Sequence, residues 1–224
     1  GSTDKTLKII KSWKKKRIKK IFLKRKFKTS PLNQIYAISC GLKASKGKII
    51  CLLDGDDIFK KHKLFEINKI FRSFKKLSFL QDVIKIKKKK KIINYNINKR
   101  FNLIDIWPKF YPTSTFSIRK KDLVNFFQID RNDYNLLEID LKLFFYSKFK
   151  LKNHYILNKN LTTYIEDIHG ISSKFRRFNY DWFLKRFQAH EYLRHITSKK
   201  NYPYYIDYIL TSVFLKFMSL IIFN

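Results

Sequence analysis

Gly47-Lys48-Ile49-Ile50-Cys51-Leu52-Leu53-Asp54-Gly55-Asp56-Asp57 is the stretch on which the reading of this chain turns. Five apolar residues in a row suit a strand buried on both faces, as in a parallel sheet. Carboxylates that follow at once would sit at the strand's carboxyl end, where open α/β sheets take their ligands. The next element is expected to be an amphipathic helix over residues 60–74, with Leu64, Ile67, Ile70 or Phe71, and Phe74 facing inward. Ahead of the strand, residues 34–44 read as a helix in which Ala37, Ser39, Cys40 and Gly41 permit close packing. This order of helix, strand, acidic loop and helix indicates an α/β fold.

Aspartates crowded at a strand tip repel one another unless a cation offsets them. Oxygen ligands on a loop suit Mg²⁺ or Mn²⁺, which combine one or two carboxylates with waters and substrate phosphates. An Asp-x-Asp loop in this setting therefore suggests a clamp for a metal-bound diphosphate.

Further out, Asp4 or Thr3 is expected to cap a short helix with Leu7, Ile10 and Trp13 on one face. Ile21-Phe22-Leu23 is a strand candidate, and Ser30-Pro31 punctuates the chain. Lys87 to Lys91, five lysines flanked by alternating apolar residues, reads as a solvated turn between two strands. Thr113-Ser114-Thr115 leads into a strand at 116–118, and residues 121–127 read as helical. Helices are expected at 135–148 and 180–196, with strands near 155–157 and 162–165 between them. Tyr180, Trp182, Phe183 and Phe187 read as packing residues. The tail from Tyr202 to Asn224 is apolar but interrupted by Asp207 and Lys216, which favours a membrane-surface or domain-packing helix over a spanning one.

The 224 residues carry 50 Lys+Arg against 17 Asp+Glu, a net +33. Such charge suggests a nucleic-acid binder. Yet Lys outnumbers Arg 40 to 10, and 30 Ile stand against 3 Val and 3 Ala. These are the products of A/T-rich codons, so the charge reads as compositional background, and nucleic acid is not the expected partner. With 45% hydrophobic residues the chain has material for a core, which excludes global disorder. Cys40 and Cys51 alone cannot make a disulfide framework or a Cys-based zinc site, which points to a reducing compartment.

The acidic loop is similar to the Asp-x-Asp region of family 2 glycosyltransferases, which have the GT-A fold. Gln34, Ala37, Gly41, Leu42, Ala44 and Gly47 fall where that family has its Gln/Ala/Gly-Leu/Ala/Gly helix. Gly1-Ser2-Thr3-Asp4 resembles the family's Asp-Asp-Gly-Ser-Thr-Asp motif entered partway through. Leu137-Glu138-Ile139-Asp140-Leu141 resembles the later acidic motif, and Ile168-His169-Gly170-Ile171-Ser172 the His-containing stretch before the closing helix.

The resemblance implies a GT-A-like (Rossmann-like) mixed sheet flanked by helices, N-terminally truncated, with a helical C-terminal part. Residues 1–110 would form the nucleotide-sugar-binding part, 111–200 the acceptor side of the same domain, and 201–224 an apolar C-terminal helix. It implies transfer of a sugar, with inversion, from a nucleotide-diphosphate donor to a saccharide or lipid-linked acceptor in cell-surface polysaccharide or glycolipid synthesis. Asp56 and Asp54 would hold Mn²⁺ or Mg²⁺, Asp4, Gln34, Asp54 and Asp57 would contact the donor, and Glu138, or failing it Asp140, would be the base. The expected place is the cytoplasm, at the cytoplasmic face of the membrane. The rivals are a basic nucleic-acid-binding module and a non-catalytic remnant of such an enzyme.

Overall fold

The computed structural model describes residues 4–14, 17–88, 91–94, 106–107, 111–166, 178–197 and 202–223. In chain order the helices are α1 (Thr6–Ser12), α2 (Ser30–Ala44), α3 (Lys63–Ser73), α4 (Lys120–Ile129), α5 (Ile139–Phe145), α6 (Tyr180–Ile196) and α7 (Tyr205–Phe223). The strands are β1 (Ile49–Cys51), β2 (Ile58–Phe59), β3 (Phe79–Lys88), β4 (Lys91–Asn94), β5 (Phe116–Arg119) and β6 (His154–Ile165). They form one mixed sheet in the order β1-β5-β3-β6-β2, with β4 folded back on β3 as a hairpin. Only β3 and β6 run parallel; every other described pair is antiparallel.

Side-chain alternation along the central strands feeds two cores. Phe79, Phe116 and Ile118 point to one face, where α2, α4, α5 and α6 bring Ile35, Phe126, Phe145 and Leu193. Leu80, Leu157 and Leu161 point to the other, covered by Ile67 and Phe71 of α3. Each such side chain, fully buried, stabilises the fold by about 1.5–3 kcal/mol. Helices on both faces of a mixed sheet confirm the α/β class.

Several expectations need correction. β1 is shorter than the apolar run, lies at one end of the described sheet and pairs antiparallel with β5. Its residues are half-buried rather than buried on both faces, and Leu53 is exposed. On α3 the inward stripe is Lys63, Ile67 and Phe71, while Leu64 and Phe74 are exposed. A buried lysine with a partner took the position that hydrophobic periodicity assigned to leucine. Ser30-Pro31 begins α2 instead of separating elements, since proline is at home in the first turn of a helix. No strand forms at 21–23. The helix expected at 135–148 is the shorter α5 followed by a π-helical turn, Tyr146–Lys150, and the two strands expected near 155 and 162 are the single strand β6. Helix α6 has the expected bounds, and Phe183 and Phe187 do pack, against Phe214 and Tyr208.

Candidate active site

The acidic loop leaves β1 and is tied on both sides. Leu52 N–H still donates to Phe116 C=O (3.0 Å), and Asp54 N–H donates to Ser114 Oγ (2.9 Å). Asp57 N–H donates to Asp54 C=O (3.3 Å), closing a turn over Gly55 and Asp56. The chain then joins the far end of the sheet through β2, and Asp57 Oδ1 accepts from Ile165 N–H (3.0 Å). The loop thus bridges the two outer strands across the ends of β5, β3 and β6.

What fixes the loop from below is a buried charge pair. Lys63 Nζ donates to Asp82 Oδ1 (2.6 Å), Thr162 Oγ1 (2.6 Å) and Ser114 C=O (2.8 Å). Thr162 Oγ1 in turn donates to Asp82 Oδ2 (2.7 Å). All four side chains are fully buried. Burial pushes the Lys63 ammonium down and the Asp82 carboxyl up, each against the pull of its partner. The β3–β6 register shifts next to Asp82, a bulge of the kind common beside functional sites. Ser114 therefore links the pair to Asp54, offering its carbonyl to one and its hydroxyl to the other.

On the opposite side, α2 supplies Gln34. Asn33 anchors that end of the helix, accepting from Lys26 and Phe27 N–H and donating to Phe27 and Thr29 C=O. One residue on, Gln34 Nε2 donates to Asp54 Oδ1 (3.1 Å). Burial, with Asp57 and Asp56 adding repulsion, raises the Asp54 carboxyl above its ordinary value. Burial likewise raises Asp57, and Asp56 contributes. Asp56 is exposed.

Glu138 and Asp140 flank the start of α5. Glu138 Oε1 accepts from Lys185 Nζ of α6 at 2.5 Å, so this carboxylate already has a cationic partner. Asp140 Oδ1 accepts from Leu141 N–H (2.8 Å). The Asp140 side chain keeps some accessible surface but lies deep among protein atoms. Burial first, then the charges of Glu138 and Asp54, push it up to about 7. Tyr164 on β6 feels the same set: burial and then Asp57, Asp56, Asp140 and Glu166 push its hydroxyl up to about 12.

The structure thus brings Gln34, Asp54, Asp56, Asp57, Glu138 and Asp140 to one acidic cleft. Asp4 is not joined to it: this exposed residue accepts from Thr6 N–H (3.0 Å) in its own turn. Gly1 to Thr3 and the segment around His169 lie outside the described residues. Sequence reasoning missed Lys63, Ser114, Tyr164 and Lys185; a lysine inside an amphipathic helix stripe was the only local signal.

Among the described residues, no three His, Cys, Asp or Glu side chains form a ready-made metal cage. The donor set nonetheless fits a hard divalent cation. It is all oxygen, Asp56 is open to solvent, and both Asp57 Oδ2 and Gln34 Oε1 are buried without a hydrogen bond. Chemically, such a cluster would offer oxygen ligands to a cation, and beside it stands a carboxyl able to gain or lose a proton near neutrality. Elsewhere, a concavity of about 640 Å³ is lined by Lys46, Lys48, Lys75, Arg119, Lys120 and Lys121. It lies away from the acidic loop, and Arg119 and Lys120 are committed to backbone carbonyls.

Comparison with known proteins supplies a family. The profile described as Glycosyl transferase family 2 matches residues 1–135. Crystal structures of S. aureus TarS 1-349 share the fold. The complex with UDP-GlcNAc superposes with a TM-score of 0.58 at 15% identity, covering 97% of this chain and 60% of that one. The complex with UDP gives 0.58 at 15% identity, covering 97% and 58%. A third TarS 1-349 structure gives 0.53 at 14%, covering 100% and 80%. The chain thus spans less than two thirds of the TarS chain in the first two. No curated protein sequence matches.

Proposed function

This chain belongs to glycosyltransferase family 2, and we propose that it transfers a sugar from a nucleotide-diphosphate donor to an acceptor hydroxyl with inversion. The observation that carries the reading is the Asp140 carboxyl, held at about 7 by burial and by Glu138 and Asp54, beside the aspartate loop. A base poised near the working pH is the requirement for deprotonating an alcohol as it attacks. With Glu138 paired to Lys185, Asp140 is the better-placed base, and Glu138 serves to raise its basicity. In the reaction the acceptor O–H gives its proton to Asp140, its oxygen bonds to the anomeric carbon, and the bond to the diphosphate breaks. The displacement inverts that carbon.

Asp56 and Asp54 would hold Mn²⁺ or Mg²⁺. Such an ion offsets the charge that develops on a departing diphosphate. Gln34 and Asp57 would orient the donor side of the cleft, and Ser114 and Lys63 hold the loop in place. TarS solved with UDP-GlcNAc and with UDP supports a nucleotide-sugar donor. A saccharide or lipid-linked acceptor and work at the cytoplasmic face of a membrane complete the proposal.

Calorimetry with UDP-GlcNAc tests it. Binding that requires Mn²⁺ and weakens at least about tenfold in Asp56→Asn is expected. Binding indifferent to both would overturn the metal–diphosphate reading.

A further inference from the structure

Helix α7 is built inside out. A surface helix normally buries its apolar stripe and shows its polar one. In α7 the side facing the protein carries Asp207 and Thr211, both buried, with Tyr208, Ser212, Leu215, Met218 and Ser219 half-buried beside them. Asp207 and Thr211 are satisfied by α6 and its neighbours, while Ser212 and Ser219 donate to carbonyls of α7 itself. Arg186 forks onto both Asp207 oxygens (2.6 and 2.7 Å), His190 Nε2 lies 3.3 Å from Asp207 Oδ2, and Ile106 N–H donates to Asp207 (2.8 Å). Thr211 Oγ1 sits 3.5 Å from His190 Nε2. Removing Asp207 would strip the buried Arg186 of its carboxylate, so the polar side is held inward.

The outward side is apolar along its whole length. Ile206, Ile209, Leu210, Val213, Phe214, Phe217, Leu220, Ile221 and Ile222 are each about half exposed or more, from 49% to 66%. At 100° per residue most of them sweep about half the circumference. Lys216 falls at one border of that arc, from which its ammonium can reach out while its stem stays against the apolar surface. The buried side chains of the helix lie in its first ten residues; after them, among the described residues, Leu215, Met218 and Ser219 are half-buried.

We propose that α7 lies in the surface of an anionic lipid bilayer, its outward half among the acyl chains near the headgroups. Three features choose lipid over a protein partner. The face is mainly branched aliphatic with Lys216 at one border, whereas protein interfaces favour aromatic, Met and Arg residues ringed by polar ones. The arc is broad and runs from Ile206 to Ile222, the geometry of an interfacial helix rather than of a narrow seam. Finally, the chain carries +33, and each lysine or arginine near an anionic surface adds about 1 kcal/mol of attraction. Whatever codon usage produced that charge, it favours approach to an anionic surface over a neutral one. This proposal gives a surface to the membrane-face part of the reading above, but it needs no nucleotide sugar, so lipid binding and sugar transfer can fail separately.

Co-sedimentation of the full chain with vesicles tests it. The vesicles are phosphatidylcholine alone or phosphatidylcholine mixed with phosphatidylglycerol. The expected result is binding to the anionic vesicles that is at least about tenfold weaker in the variant Ile209→Glu/Val213→Glu/Phe217→Glu. These three exposed residues form one outward stripe, so the variant's thermal unfolding should match the parent's. Leu64→Glu/Phe65→Glu, equally exposed on α3, should bind like the parent. Absence of binding, equal binding to both vesicle types, binding unchanged in the triple variant, or a dimer in solution that the triple variant disperses would each overturn the proposal.

Discussion

Asp140→Asn is expected to disable the chain and stabilise it at once. The carboxyl lies at about 7 in the fold against an ordinary 3.8, and that displacement corresponds to about 4 kcal/mol of penalty on the charged form. Residual access to water lowers this, to about 2–4 kcal/mol. The sign follows from the raised value. Below pH ~4 folded and unfolded chains both hold the proton, and the group contributes nothing. As pH rises from ~4 to ~7 the unfolded chain ionises first and the fold loses stability, and above ~7 the whole penalty is present. Asparagine cannot ionise, yet its Oδ1 can keep the bond from Leu141 N–H. Urea unfolding should therefore give Asp140→Asn no advantage at pH 4 and about 2–4 kcal/mol at pH 8, while transfer activity falls by about 10²–10⁴. A variant less stable at pH 8, or one whose gain does not depend on pH, would refute the reasoning.

Three further predictions rest on the same site. Glu138→Gln removes the charge that, after burial, most raises Asp140, so the acidic limb of the pH–rate profile should move below 7; an unmoved or raised limb would contradict the coupling. Lys63→Met should cost about 3–5 kcal/mol in urea unfolding because it strands a buried Asp82, and adding Asp82→Leu should recover most of that; a double variant worse than Lys63→Met alone would show that the pair is not the source of the loss. Ser114→Ala leaves Asp54 N–H without its partner and should weaken UDP-GlcNAc binding in calorimetry about three- to tenfold while costing about 1–2 kcal/mol of stability. Unchanged binding would free the loop's geometry from Ser114.

The parts of the fold legible in the sequence are those that rest on local pattern. The apolar run and Asp-x-Asp placed a strand and its acidic loop, α6 has the expected bounds, and β3 and β4 flank the lysine run, whose expected turn at 89–90 lies outside the described residues. Pairing was not legible, because β1 could as well have had parallel neighbours on both sides; its antiparallel partner β5 lies 68 positions away at Ile50↔Ile118. Lys63 was hidden by the rule that inward positions are apolar. The rule fails where Asp82 and Thr162, distant in sequence, supply a partner for the charge.

The site was legible as residue types and not as roles. Glu138 and Asp140 are two residues apart and chemically alike, so spacing could not rank them. The proposed ranking rests on Lys185, 47 positions later in the chain, which pairs with Glu138, and on the burial that raises Asp140. Asp4 fits a motif, but its hydrogen bonding stays within its own turn. The basic residues, which dominate the composition, contribute few partners to the cleft. Lys63 and Lys185 are exceptions because they are paired and sequestered.

The central claim is that Asp140, ionising near neutrality, drives attack on a nucleotide sugar at the aspartate loop. Its most direct measurement is the rate of UDP release from UDP-GlcNAc with Mn²⁺, water serving as acceptor, followed from pH 5 to 9 in the parent and in Asp140→Asn. The account predicts a rate that rises through a midpoint at about 7, and an Asp140→Asn variant that binds the donor but releases almost no UDP. A parent profile without that ionisation, or a variant that turns over at the parent's rate, would contradict it.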